Sequence, residues 1–459
     1  MGKFENKLTE GNVIKLLFKF SLPFLLSNML QAMYNVSDTL VVSWFAGANT
    51  VSGVANGGQV TLLAMNFAIG FTVGGTILIG QYFGAGKREE LSETIGTMFS
   101  VLAIMALILT AVVIIFCDDI LTLIQIPEES FSEARIYMII CMCGTVFTFG
   151  YNAVAAILRG MGDSKNPLLF VLIAGAINTA LDLPFVGLFH WDAAGDAAST
   201  VIAQAVSLVL AVVYLGKKGF VFEFRLKNFK ICREKLKMLI KIGLPNSVQN
   251  VVVGLSFLLM MSLVNRYGVY ASAAMGIVGK FNGFAILPAI AMSSSVSSMA
   301  AQNLGAGFIG RAKKTMFSGI MLALPIGSIF FLLAYFFPEA IMRIFTDEKP
   351  VIEEGLRYIK FFSLDYIFVS FTFCFNGLLM GAGRTTFTMI NGMMSSILLR
   401  VPFALLFGTV LQMGLTGIGL AAPVATIGAG IVGFCYYLTG KWKENNIIAG
   451  PQIDYDTGF

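Results

Sequence analysis

The chain reads as an all-α polytopic membrane protein with 12 transmembrane helices in two six-helix repeats. Three observations predict this. Hydrophobic residues make up 57% of the sequence and charged residues 12%, against about 45–50% and about 25% in soluble domains. Apolar stretches long enough to cross a ~30 Å hydrocarbon core recur from end to end. The second half of the chain repeats the first. A β-barrel is excluded by the length of the stretches, since barrel strands are ~10 residues long and alternate in polarity.

The first stretch of the chain is polar and charged, with no small-residue cleavage site behind a short apolar core, so no removable signal peptide is expected. Hydropathy then places spans at about 16–45, 52–82, 91–116, 134–158, 166–189, 193–215, 239–264, 271–300, 312–337, 356–380, 386–411 and 415–440. The loops between them alternate in charge. One set carries Lys3, Lys7, Lys15, Lys19, Lys87, Arg88, Arg159, Lys165, the stretch Lys217–Lys241, Arg311, Lys313, Lys314, Arg384, Lys441 and Lys443. The other carries Asp118, Asp119, Glu128, Glu129, Asp192, Asp196, Glu339, Asp347 and Glu348. Counting span ends with their loops, about 23 of the 31 Lys and Arg residues fall on the first side. The positive-inside rule therefore predicts cytoplasmic termini and an even number of helices.

The longest polar segment, "KKGFVFEFRLKNFKICREKLK" at 217–237, divides the chain near its middle. It suggests an N-terminal lobe (1–216, helices 1–6), a cytoplasmic inter-lobe linker (217–237), a C-terminal lobe (238–441, helices 7–12) and a cytoplasmic tail (442–459). Four sequence pairs support the repeat. "SLPFLLSNMLQ" at 21–31 matches "GLPNSVQNVVV" at 243–253, and "GQYFGAGKREE" at 80–90 matches "AQNLGAGFIGRAKK" at 301–314. "RGMGDSKNP" at 159–167 echoes "MGAGRTTFT" at 380–388, and "DAAGDAASTVIA" at 192–203 echoes "GLTGIGLAAPVA" at 414–425. The offset is 221 or 222 residues throughout. Six spans per repeat give the halves parallel topology, an arrangement found in secondary transporters with the substrate path between the halves.

Charges within the spans are few: Asp38, Asp182, Lys280, Asp365 and Arg400. An acid at this depth costs several kcal/mol unless paired, hydrated or protonated, which makes each a functional candidate. The predicted topology puts Asp38 ~10 Å below the outer end of helix 1, with Asp182 in helix 5 and Thr200 in helix 6 at a similar depth. Asn178 lies one turn deeper than Asp182 on the same helix face. Two carboxylates, an amide and a hydroxyl thus converge on one level, a donor set suited to a proton or to Na⁺. Adjacent carboxylates in a poorly hydrated place also resist simultaneous ionisation. Tyr34, one turn below Asp38, is a candidate hydrogen-bond partner for it.

Lys280, Asp365 and Arg400 share a level in the second half. Two readings stand: a structural ion pair of Asp365 with Arg400 or Lys280, or a set of charges on the substrate path. Lys280 corresponds to Gln59 at the repeat offset. "DLP" at 182–184 and "RVP" at 400–402 look equivalent if a three-residue gap is allowed. Met (23) and Phe (41) are plentiful enough to wall a cavity for bulky amphipathic substrates.

Several chemistries are excluded. "GQYFGAGKR" has the wrong spacing for a phosphate-binding loop, and Arg88 stands where Ser or Thr is needed. One histidine, His190, rules out His-based metal centres and triads. Cys141, Cys143, Cys374 and Cys435 lie in apolar spans, Cys117 ends one and Cys232 is in a basic loop, so neither a disulfide framework nor a zinc site is indicated. The net charge of +5 reflects loop asymmetry rather than a nucleic-acid surface.

The paired "SLP" and "GLP" helix starts, the "QYFGAGK" and "QNLGAG" loops, "LRGMGDSKNP" and the six-plus-six repeat resemble the multidrug and toxic compound extrusion (MATE) family over nearly the whole chain. Asp38, Asn178, Asp182 and Thr200 resemble the cation site of its DinF-type branch, whose carboxylates are implicated in H⁺ or Na⁺ coupling. The resemblance also implies a bend of helix 1 at Pro23. The NorM-type branch has a Glu in helix 7, whereas 239–264 here contains no acid.

The expectation is a non-enzymatic antiporter without a cofactor. It would export amphipathic organic compounds as a monomer in the inner (plasma) membrane of a bacterium or archaeon. A flippase of lipid-linked saccharides is the alternative within transport. An intramembrane enzyme, for which Lys280 with Ser293–Ser295 is the only loose dyad, is the alternative outside it.

Overall fold

The computed structural model describes residues 7–216, 220–444 and 447–448. The other residues of the predicted linker and tail, and the first six, lie outside the described residues. Among those described, ten helices are long and apolar enough to cross a membrane, and twelve spans result when each of two bent helix pairs counts as one. In chain order these are α1 (Val13–Phe45), α2 (Ala48–Gly84), α3 (Arg88–Ile115), α4 (Glu128–Cys143 with Thr145–Gly160), α5 (Lys165–Leu188) and α6 (Asp192–Gly216). The second set is α7 (Arg233–Asn265), α8 (Val269–Gly305), α9 (Ile309–Phe336), α10 (Lys349–Phe362 with Asp365–Gly381), α11 (Thr385–Val410) and α12 (Gly414–Leu438).

The repeat predicted from sequence reaches down to the backbone angles. Gly86 and Gly162 take positive φ (71° and 85°), and so do their counterparts Gly307 and Gly383 (82° and 74°). These are left-handed turns that glycine adopts without a Cβ penalty. His190 and Asp192 (φ 51° and 47°) match Gln412 and Gly414 (55° and 60°). The short helices Cys117–Leu123 and Pro338–Arg343 also correspond, as do the bends of α4 (48°) and α10 (42°).

This register corrects one expected equivalence. Gly162 to His190 spans one residue fewer than Gly383 to Gln412. A single added residue in a helix is accommodated as a π-turn, and α11 has one at Met394–Leu399 that has no counterpart at the same place in α5. Arg400 therefore falls opposite Asn178–Thr179, about one turn deeper than Asp182. The three-residue gap that would align "DLP" with "RVP" is not needed.

Two compact units are present. One is built from Leu26–Ser247, the other from Leu8–Leu25 and the described chain from Val248 onward. The unit boundaries thus fall within helices α1 and α7, just after Pro23 and Pro245, and not at the 217–237 segment. Both helices are continuous through these prolines; each proline removes one backbone hydrogen bond there.

In the first unit the segment before α7 is anchored: Phe222, Phe224 and Phe229 surround Phe99 of α3 at ring separations of 6.2, 5.8 and 6.0 Å, and the Cys232 N–H donates to Thr97 Oγ1 at 3.1 Å. In the second unit the segment before α1 is anchored in a corresponding way. The Leu8 N–H donates to Gln302 Oε1 (2.9 Å), and Arg311 donates to the Gly11 carbonyl (2.8 Å).

Small residues permit close helix contact in the absence of a strong hydrophobic drive between helices in lipid. A Cβ added at Gly160 would lie 2.8 Å from the Thr76 carbonyl oxygen, and one at Gly381 2.6 Å from that of Ser297. The two contacts are repeat mates. Gly160→Val and Gly381→Val should each destabilise the protein by about 1–3 kcal/mol through overpacking, read as a lower thermal-unfolding midpoint in detergent. An unchanged midpoint for both would contradict the tight crossings.

Candidate cation site

The first unit gathers three carboxylates from three helices. Asp38 of α1, Asp182 of α5 and Asp196 of α6 each offer an oxygen, and these oxygens all lie within 4.8 Å of one another. Asp182 is 1% exposed and Asp196 0%, while Asp38 is half-buried.

Local structure explains how each arrives there. Asp182 ends the α-helical part of α5, and the π-helical segment Leu183–Leu188 with Pro184 near its start follows it. A π-turn shifts the register of a helix and often marks a functional site. Asp196 stands in the second turn of α6. That helix begins at Asp192, and the Ala193 N–H there donates to Glu133 Oε2 of α4 at 3.3 Å. Acidic groups at a helix N-terminus are favoured by the helix dipole. On α1, Tyr34 approaches α5 where Gly175 leaves room: a Cβ on Gly175 would lie 3.6 Å from Tyr34 Cβ.

A polar network supports the trio. Ser199 Oγ donates to Asp182 Oδ1, and Asn178 Nδ2 lies 3.4 Å from Ser199 Oγ and 3.2 Å from Thr200 Oγ1. Ser199 also lies 2.8 Å from the Asp196 carbonyl. Five buried oxygens remain without a hydrogen-bond partner: Asp38 Oδ1, Asn178 Oδ1, Asp182 Oδ2 and both carboxylate oxygens of Asp196. Buried polar atoms are normally paired, so each such atom needs an explanation. The donor set is oxygen only, the chemistry of a proton or a hard cation.

Of the residues expected from sequence, Asp38, Asn178, Asp182 and Thr200 do come together. Asp196 and Ser199 were missed. Asp196 was grouped with Asp192 among the outer-loop acids, although the predicted sixth span, 193–215, already contained it. Its spacing of four from Thr200 was the available signal, since residues four apart share a helix face.

The remaining candidates are not drawn into this site. Gln59 and Lys280 are exposed on α2 and α8. Asp365 is 5% exposed at the start of the second part of α10. No ion pair within 4.0 Å joins Asp365 to Arg400 or Lys280 among the described residues. The guanidinium of Arg400 instead lies 6.0 Å from the ring centre of Phe257, at the outer limit for attraction to an aromatic face.

A family model, MatE, matches residues 23–183 and 245–406, and its two matched parts begin at the paired prolines. Two relatives from Bacillus subtilis (strain 168) are similar over nearly the full chain. The probable multidrug resistance protein YpnP is 29% identical, over 95% of this chain and 97% of its own. The probable multidrug resistance protein YoeA is 28% identical, over 96% of each. Among solved structures, a multidrug resistance MATE family transporter of the MOP superfamily in an outward-facing conformation superposes with a TM-score of 0.90. It is 20% identical, with coverage of 96% of this chain and 98% of that one.

Ser199 is the shared partner of Asp182 and Asn178. Ser199→Ala should therefore leave buried polar atoms unpaired and destabilise the protein by about 1–3 kcal/mol, seen as a lower thermal midpoint. A midpoint equal to that of the unaltered protein would show the network to be dispensable.

Proposed function

The chain belongs to the MatE family, and on that footing we propose that it is a secondary antiporter coupling H⁺ or Na⁺ entry to export of amphipathic, often cationic, organic compounds. The observation that carries this reading is the convergence of Asp38, Asp182 and Asp196 in the first unit. Three ionised carboxylates in a buried pocket are strongly unfavourable without neutralising charge. The pocket is therefore driven to take up cations or protons, and to release them when its exposure changes.

In this reading Asp38 and Asp182 carry the coupling ion, and Asn178, Ser199 and Thr200 hold their geometry. The ion and the exported compound act oppositely on an alternating-access equilibrium, because a ligand shifts only states that it binds differently. The same reading places the protein in the plasma membrane with both termini cytoplasmic, working as a monomer. An acidic first unit is unsuited to a carrier of pyrophosphate-linked sugars, which calls for a cationic cavity, so the flippase alternative is set aside.

Reconstituted vesicles test the proposal. Efflux of a cationic dye should follow an imposed pH gradient, a Na⁺ gradient or both. Asp38→Asn and Asp182→Asn should each lower the gradient-driven rate at least about tenfold, the scale set by removing ~1.4 kcal/mol or more of coupling energy. Full gradient-driven efflux by both variants would sink the assignment.

A further inference from the structure

The second unit holds a small apolar cavity that neither the acidic site nor the proposed transport cycle uses. Phe18, Leu22 and Leu25 of α1 form one wall, Pro288 and Met292 of α8 a second, and Leu322 and Ile326 of α9 a third. Its volume is about 90 Å³, well below the roughly 300–1,000 Å³ of a site that encloses a drug-sized ligand. A narrow chain fits; a bulky compound does not. The one hydroxyl in the lining, Ser21 Oγ, already donates to the Phe18 carbonyl at 3.3 Å, so the cavity presents water with too few polar partners.

Proline placement gives a local reason for the gap. Pro23 and Pro325 stand inside α1 and α9, and Pro288 begins the second part of α8. A proline inside a helix clashes with the carbonyl four residues earlier and bends or loosens the helix there. On its other face, α1 turns Val13, Leu17 and Phe20 into the core of the unit beside Met292 and Val296. Phe18 and Leu22 are left 53% and 41% exposed, and Met321 of α9 65%. Exposed apolar side chains clustered on membrane-spanning helices mark contact with lipid, so the mouth of the cavity looks onto acyl chains.

Charge near the mouth narrows the ligand. Arg311, at the start of α9, donates to the Gly11 carbonyl just ahead of α1 at 2.8 Å, so the two helices start side by side. Leu22 lies ~16 Å along the chain from Gly11 and Leu322 ~16 Å from Arg311, which sets both at one level. Lys15 and Lys19 are exposed on α1. Residues three apart share a helix face, which puts Lys15 with Phe18 and Lys19 with Leu22. Neither lysine is in an ion pair within 4.0 Å among the described residues. Lys313 adds an exposed cation at the start of α9, while the nearby acid Glu10 acts on Arg311.

We propose that this cavity seats one acyl chain of an anionic phospholipid from the leaflet at the α1 start, with Lys15 and Lys19 holding its phosphate. Basic residues beside a membrane span attract anionic headgroups. Lys15 to Leu25 measures ~15 Å along α1, half of a ~30 Å hydrocarbon core. A lipid held at the lysines therefore reaches the far end of the cavity with a chain of ordinary length. The inference concerns the lipid contact of the second unit and does not depend on the antiport reading.

Photolabelling tests it. Full-length protein is reconstituted in phosphatidylcholine vesicles with a trace of phosphatidylglycerol carrying a diazirine midway along one acyl chain. Peptide mass mapping after irradiation should place adducts on 18–25 and 288–292, enriched at least about fivefold over other exposed apolar positions such as Leu107 and Leu258. The same diazirine on phosphatidylcholine should show no such enrichment. Leu22→Trp should fill the mouth and remove the enrichment. Lys15→Gln combined with Lys19→Gln should lower phosphatidylglycerol labelling to the phosphatidylcholine level. Both lysines are exposed, so this second variant keeps the test decisive if Leu22→Trp does not fold. Even labelling of all exposed helix faces overturns the proposal, as does equal enrichment by both lipids. Labelling abolished by a cationic dye also overturns it, because the cavity would then belong to the exported compound. No ion gradient is imposed, so failure of gradient-driven efflux in its own assay leaves the lipid result standing.

Discussion

Carboxylates removed from water must be neutralised or paired, and the first unit brings three of them together in a helix bundle. This constraint organises the neighbourhood. The network from Asn178 through Ser199 to Asp182 fixes two side chains and leaves oxygens available. The π-turn after Asp182 and the N-terminal placement of Asp196 on α6 are local departures from a plain apolar helix. Both lie beside the acids of the site.

The second unit answers the same chain plan with different chemistry. Its helices carry the same bends, left-handed turns and short intervening helices, yet Gly417 and Ile418 stand where the register would place the counterpart of Asp196. The single charged residue in α11, Arg400, follows an inserted π-turn and lies near Phe257 instead of pairing with Asp365. Backbone architecture has been duplicated faithfully, while the polar centre belongs to one copy.

Legibility differed by kind of feature. The spans were readable because hydrocarbon imposes a minimum apolar length, and the repeat was readable because its glycine turns recur at a fixed offset. Asp38, Asn178, Asp182 and Thr200 were readable because depth along a helix follows from residue counting. Asp196 was not, because it stands beside Asp192 at the outer edge of the predicted span 193–215 and was grouped with the loop acids there. α6 starts at Asp192, so this acid occupies its second turn. Arg400 was set level with Asp182 because matching "DLP" to "RVP" allowed a three-residue gap, whereas the left-handed turns that bracket these helices admit one added residue.

By itself, then, the sequence determined the membrane environment, the twelve spans, the duplication and most of the acidic site. These properties depend on solvent transfer and on helical repeat, which act residue by residue along the chain. Tertiary structure decided the rest: the third carboxylate, the hydroxyl bridge between Asn178 and Asp182, the lack among the described residues of an ion pair between Asp365 and Arg400, and unit boundaries just after Pro23 and Pro245. Each of these depends on the rotation of one helix against another, a quantity fixed by packing and by local π-turns and invisible to composition. The acid at residue 38 announced a site; only the approach of α5 and α6 set how many charges it holds.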